Sequence, residues 1–170
     1  MTWNDQFLEL FDRCLQKYLS GNTDFTSYYT DNDLLFLESI GYKQREFFDF
    51  VEDFGDAGVP SMSTALLIAA VRRDFLTVVQ DGTLSDKEIT RDQLPGKSEQ
   101  LDGIAYLPRI IAKAKAKLAG ELDPDIMFSC GGDRRFLSAN NLHPADFLRN
   151  VWAAGDDTQR IADYVKAASK

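Results

Sequence analysis

The chain is poor in the residues from which common catalytic and metal sites are built. Among 170 residues there is one histidine, His143, and there are two cysteines, Cys14 and Cys130. A structural zinc centre takes four nitrogen or sulfur ligands at set spacings, and no CxxC or Cys/His pair of that kind occurs, so a typical zinc site is excluded. The position of His143 defines no Ser–His–Asp or Cys–His arrangement; directly before Pro144 it reads as a helix cap. Two distant thiols suit free cysteines in a reducing cytoplasm. Long apolar runs are also missing. The most apolar stretch, Ala65–Val71, gives way to Arg72, Arg73 and Asp74, whereas crossing a bilayer takes about 20 residues. Asp5 and Glu9 stand where a secretory signal would be basic. The alternation that marks strands is nearly absent.

Positive charge is the next shortage. Nineteen Lys and Arg face 27 Asp and Glu, for a net charge of −8. The deficit lies in residues 1–100, which hold nine basic and eighteen acidic side chains; residues 101–170 hold ten and nine. An acidic surface repels phosphodiester backbones, which argues against nucleic acid as a partner. The one basic run is Lys113, Lys115 and Lys117. Residues two apart on a helix diverge in direction, so the run reads as solvated. At this length the chain is expected to form one domain that buries roughly 70% of its unfolded surface without a staple.

What the sequence does have is a pattern that occurs twice. Asp33–Gly55 and Asp133–Gly155 share Asp33/Asp133, Phe36/Phe136, Leu37/Leu137, Phe47/Phe147, Val51/Val151 and Gly55/Gly155 without a gap. The preceding segments align with one residue less of separation, Phe7, Leu8, Phe11, Leu15, Leu19 and Gly21 against Tyr106, Leu107, Ile110, Ala114, Leu118 and Gly120. Spacings of three and four place these apolar residues on single helical faces, with glycine as the stop. The expected fold is all-α: about eight helices in two similar four-helix sets, residues 1–80 and 103–170, joined by a polar linker at 81–102; the shared pattern reads either as an internal duplication or as two ordinary amphipathic segments that converged. Helices are predicted over 4–19, 33–39 with Asp33 as its own cap, 43–54 stopped by Gly55, and from Ser61 or Ser63 to 79. In the second set they run to Ala119 with Pro108 in the first turn, then 133–139 with Asp133 as cap, 144–154, and from Asp156 or Asp157 to 168. Leu84, Ile89 and Leu94 are the residues by which the linker would anchor to the core. The aromatic stripe of Phe47, Val51 and Phe54, widened by Phe50 and with Phe48 about 100° from Phe47 around the helix, predicts either a deep core helix or burial between the halves or in a homodimer.

Residues Leu101–Val165 resemble a bacterial family known as domain of unknown function 5069. The resemblance is carried by LDGIAYLPRIIAKAKAKLAG (Leu101–Gly120), CGGDRRFL (Cys130–Leu137) and LHPADFLRNV (Leu142–Val151). Leu107-Pro108-Arg109 matches the family's helix start, and Cys130, Asp133, Arg135, Phe136 and Leu137 match its Cys-x-x-Asp-x-Arg-Phe-Leu element. The chain departs from the family at Lys115, where arginine is common, and at His143, where an acidic or hydroxyl cap is usual. The resemblance implies a helical fold and a cytoplasmic, bacterial setting, and brings no activity with it.

Arg109, Cys130, Asp133, Arg134 and Arg135 form the candidate ligand-binding set. Arginine offers a rigid fork of donors for carboxylate or phosphate. A cysteine beside cations at a helix start favours its thiolate, and Gly131-Gly132 leaves backbone N–H groups free for an anion. The plain structural alternative is a helix cap, a turn and a small buried thiol. The first half has Leu34 and Leu35 in place of Arg134 and Arg135. No cofactor or metal is called for. The expected function is a non-enzymatic interaction module whose acidic first half, holding fourteen of twenty aromatics, meets a basic protein partner or a second copy of the chain. The alternative is a binder of a small anionic ligand, or a thiol-dependent enzyme, built on Arg109, Cys130, Asp133 and Arg135.

Overall fold

The computed structural model describes residues 1–170, and its architecture is all-α, with eight helices. They are α1 (Trp3–Leu19), α2 (Asp31–Ser39), α3 (Gln44–Ala57), α4 (Met62–Val78), α5 (Leu107–Ala119), α6 (Gly131–Ala139), α7 (Pro144–Ala154) and α8 (Thr158–Ala168). The only sheet is a hairpin of β1 (Gln100–Leu101) and β2 (Ile104–Ala105). No helix is long and apolar enough to cross a membrane.

Local chemistry explains the helix starts. Thr2 and Asp5 cap α1 reciprocally, Ser61 caps α4, Asp157 caps α8, and His143 Nδ1 accepts the Ala145 N–H at 3.2 Å to cap α7. Three expected boundaries move. Asp33 does not cap its own helix: α2 begins two residues earlier, with Thr30 as cap and Asp33 returning a bond to the Thr30 N–H at 2.8 Å. Asp133 likewise lies inside α6, whose cap position is Cys130. Gly55 does not stop α3, which runs on to Ala57 and ends at left-handed Gly58. Gly55 is instead where the Tyr18 ring crosses the helix, since a Cβ there would lie 2.6 Å from the ring. Gly155 does end α7, so one shared glycine has two different physical reasons.

The segment 81–102 is more ordered than a polar linker. Ile89 donates to the Glu121 carbonyl at 2.7 Å and accepts from the Asp123 N–H at 3.1 Å. A 3-10 turn follows at Arg91–Gln93, and Leu94 is buried. Of the three expected anchors only Leu84 stays exposed. The segment is thus a strap laid over the second half. Nor do the helix sets stand apart: α4 packs against α1 and α3 of the first set and α5 and α7 of the second, around one cluster of 36 buried residues.

The aromatic stripe of α3 lies deep in this core. Phe47 meets Phe7, Phe11 and Tyr42 at centroid distances of 5.1, 5.9 and 6.4 Å. Phe48, on the flank, is covered by Phe25 and Tyr28 at 5.3 and 5.6 Å. The width of the stripe is accounted for by α1 on one side and the loop before α2 on the other, within a single chain.

The reading of the lysine run is corrected. Lys113 and Lys117, four apart, share the inner face of α5 and are 3% and 1% exposed. Only Lys115 reaches outward, to Asp156 at 3.0 Å. Lys117 is ion-paired with Glu46 and sits 3.7 Å over the Tyr42 ring. Burial pulls its pKa down to about 8. Beside it Arg72, 1% exposed, donates to the carbonyls of Gly41 and Leu118 at 3.1 and 2.8 Å. This cationic seam ties the first half to the second.

The halves share a register. α2 and α6 have the same length at a separation of 100 residues. Each is followed by a left-handed residue, Gly41 or Asn141, and closed by an N–H···O bond, Tyr42 to Leu37 at 2.8 Å or Leu142 to Leu137 at 2.9 Å. For α1 and α5 the structural separation is also 100, not one less. Phe7, Leu10, Phe11 and Cys14 are buried, as are Leu107, Ile110, Ile111 and Ala114, and the last helical residues are Leu19 and Ala119. The glycine stops are offset by one because Ser20 precedes Gly21 whereas Gly120 follows α5 directly.

Candidate functional site

The cap residue of α5, Tyr106, and the helix's first turns, with Arg109 and Lys113, line one side of the site. The N-terminal turn of α6 faces them with Cys130 and Gly132, followed one turn on by Arg135 and Phe136. Ile126 and Met127 close one side, and the strap adds Arg91 and Lys97. Together they enclose a cavity of about 560 Å³. Five cationic side chains line it against one carboxylate, Asp125. That local excess contrasts with the net −8 of the chain.

Of the residues read from the sequence, Arg109, Cys130 and Arg135 converge here. Asp133 lies behind the wall, wholly buried. Its carboxylate accepts from Lys113 Nζ at 2.5 Å, the Ser129 N–H at 2.9 Å and the Tyr106 hydroxyl at 2.8 Å. It therefore orients Lys113 and Tyr106 and has no open face for a ligand. Burial, with Asp133 alongside, drives the Tyr106 phenol pKa up, so it stays a hydroxyl donor. Arg134 points elsewhere, donating to Asp53 at 2.6 Å and to the Ser129 carbonyl at 2.7 Å. Arg109 Nη1 donates to the Pro95 carbonyl at 2.7 Å, which holds the strap beside the cavity and leaves its other donors uncommitted. Arg135 and Lys97 make no hydrogen bond or ion pair with the protein. Lys113 Nζ is 3.3 Å from Cys130 Sγ.

The N-terminus of α6 is open. Thr30 caps α2 through its hydroxyl, but Cys130, in the same place, makes no side-chain cap bond. Gly132 also keeps the floor clear, since a Cβ there would come within 3.0 Å of the Tyr106 hydroxyl. Sequence reasoning missed Lys113, Tyr106, Lys97 and Arg91. Lys113 was within reach of helical periodicity, four residues beyond Arg109. Lys97 and Arg91 were not, because nothing in a loop sequence says where the loop will lie.

The first half repeats this cradle with other chemistry. A second cavity of about 380 Å³ is lined by Glu9, Arg13, Thr30, Asn32 and Phe36 among others. These stand 100 residues before Arg109, Lys113, Cys130, Gly132 and Phe136. Arg13 and Asp33 form a two-pronged ion pair at 2.7 and 2.9 Å, where the second half has Lys113 and Asp133. Arg13 lowers the Asp33 pKa to about 2. Because that value lies below the unfolded one, the pair stabilises the fold above about pH 4. The stabilisation fades as pH falls through 2. Arg13→Ala is expected to cost about 1 kcal/mol at pH 6, with the difference from the parent shrinking towards zero near pH 2 in urea titrations. A penalty independent of pH would assign the role of Arg13 to packing instead.

Comparison with known proteins follows the same division. Residues 92–170 match the family model described as Domain of unknown function (DUF5069). The match contains Leu101–Val165 and reaches further at both ends, into the strap and through α8. No curated protein and no solved structure matches the chain.

Proposed function

We propose that the second half binds a small anionic ligand, through a phosphate or carboxylate group, in the cavity between α5, α6 and the strap. The observation that carries this reading is the convergence of Arg91, Lys97, Arg109, Lys113 and Arg135 on one cavity in an acidic chain. Arg135 and Lys97 have no partner in the protein, and unpaired cations facing a shared cavity favour an anion between them. The twin cradle strengthens the case. It is lined by Glu9 where the second half has Arg109, and the position equivalent to Arg135 is Leu35, which is exposed and does not line the cavity. The first-half cradle forms without those arginines; Arg109 also holds the strap through the Pro95 carbonyl, whereas Arg135 makes no contact of that kind and calls for a reason other than folding.

The rival reading, an interaction module with an aromatic-rich acidic first half, has less support. The aromatics that suggested it, such as Phe7, Phe11, Phe47, Phe48 and Phe50, are in the core. Cys130 leaves a thiol-dependent variant of the cavity reading in place, since its sulfur lines the cavity beside an ammonium group.

Calorimetric titration of the full chain with inorganic phosphate tests the proposal. Binding is expected, weakening as salt is added. Arg135→Ala, at an exposed position, is expected to weaken it by about tenfold or more. An Arg135→Ala variant that binds phosphate as the parent does, or failure of both inorganic phosphate and an organic phosphate monoester to bind at low salt, would overturn it.

A further inference from the structure

The cavity is larger and more apolar than a bare inorganic anion would fill. At about 560 Å³ it falls in the range of small-molecule pockets. Six of its thirteen lining residues are hydrophobic, a wall that would be wasted on phosphate or sulfate. Tyr106 and Phe136 form part of that wall, their rings 5.7 Å apart and inclined by 36°. Met127 and Ile126 supply more of the apolar lining. Flat rings, a flexible thioether and an aliphatic side chain suit a planar apolar body.

The polar side of the cavity points to the charge of the head group. Lys97 and Arg135 are uncommitted, Arg109 retains free donors, and the open N-terminus of α6 adds backbone N–H groups beside Gly132. Several cationic donors on one cavity suit a dianion with three peripheral oxygens better than a monoanionic carboxylate. Lys113 is held by Asp133 and so serves as fixed background charge.

We infer that the ligand is a phosphate monoester of a flat, aromatic group, its phosphate held by Lys97, Arg109 and Arg135 and its ring against Tyr106 and Phe136. This rests on the anion-binding reading above and narrows it to a chemical class. The ring contacts add affinity through apolar burial, and the second negative charge adds it through the arginines.

The experiment is a set of titrations of the full chain with phenyl phosphate, inorganic phosphate and benzoate. Phenyl phosphate is expected to bind at least about tenfold more tightly than either of the others. Phe136→Ala is expected to bring the phenyl phosphate to inorganic phosphate ratio down towards one. Met127→Ala, at a half-buried loop position, is expected to lower it in the same direction and serves should Phe136→Ala fail to fold. If phenyl phosphate binds no better than inorganic phosphate, the aromatic monoester is overturned while the anion site stands. If benzoate matches phenyl phosphate, the dianionic head group is overturned. If none of the three binds, the anion site falls, and this inference with it.

Discussion

Replacing Asp133 with alanine is expected to lower the unfolding free energy by about 3–5 kcal/mol. The carboxylate is wholly buried and satisfies three donors at once: the Lys113 ammonium, the Tyr106 hydroxyl and the Ser129 N–H. Removing it leaves Lys113, 3% exposed, as an unpaired charge. Two neutral donors also lose their acceptor, each loss costing about 1–3 kcal/mol when water cannot replace it. Asp133→Asn is expected to be milder, since it keeps the shape and one carbonyl acceptor but removes the counter-charge. The double variant Lys113→Met/Asp133→Leu is expected to recover much of the loss, because a buried ion pair often does no better than apolar side chains of similar volume. Equilibrium urea unfolding of the four proteins decides it. A loss below about 1 kcal/mol for Asp133→Ala would mean that cavity water rehydrates Lys113, and the ammonium would then count as a ligand-facing group.

Asp133 also shows how much of the site could be read from the sequence. The doubled pattern gave its importance, because Asp33 and Asp133 are shared, but not its role. A capping aspartate and a buried counter-ion look alike in sequence when the partner lies 20 residues earlier on another helix. Lys113 carries a related ambiguity. Alternate lysines on a helix suggest a solvated run, yet Lys113 and Lys117 fall on the inner face, where each finds a carboxylate, Asp133 and Glu46. Helix faces and boundaries were largely legible because they follow from apolar periodicity and capping chemistry. The cationic cavity was half legible. Cys130 and Arg135 belong to α6 and its cap and Arg109 to the first turn of α5, but Lys97 and Arg91 arrive on the strap, whose course is fixed by the bridge from Ile89 to Leu122. Arg134 shows the opposite error. Adjacency to Arg135 in sequence implied a shared site, but neighbouring residues on a helix point about 100° apart, and Arg134 meets Asp53 on α3.

Arg72 carries the second large expected effect. Arg72→Leu is expected to cost about 3 kcal/mol or more and to weaken the coupling between the halves. From α4 the guanidinium reaches the Gly41 carbonyl in the first half, the Leu118 carbonyl at the end of α5 and the Gln80 side chain. Leucine fills part of the volume but leaves those acceptors without a donor in a buried seam. Arg72→Lys is not expected to rescue it, since one ammonium on a flexible stem cannot reproduce a planar fork aimed at two carbonyls. The surroundings are shaped to this side chain. A Cβ at Gly41 or Gly120 would lie 2.6 or 2.5 Å from the guanidinium, and both glycines are left-handed, at φ +74° and +73°. Gly41→Ala is therefore expected to be destabilising on two grounds, backbone strain and displacement of Arg72. The seam also holds Lys117 with Glu46, so it contains two cations and one carboxylate. An interaction spanning both halves adds to cooperativity as well as to stability. Denaturant unfolding followed by tyrosine or tryptophan fluorescence and by far-ultraviolet dichroism is expected to give coincident transitions in the parent and separated ones in Arg72→Leu. Coincident transitions with a loss below about 1 kcal/mol would show that apolar packing of α4 against α5 and α7 joins the halves without the guanidinium.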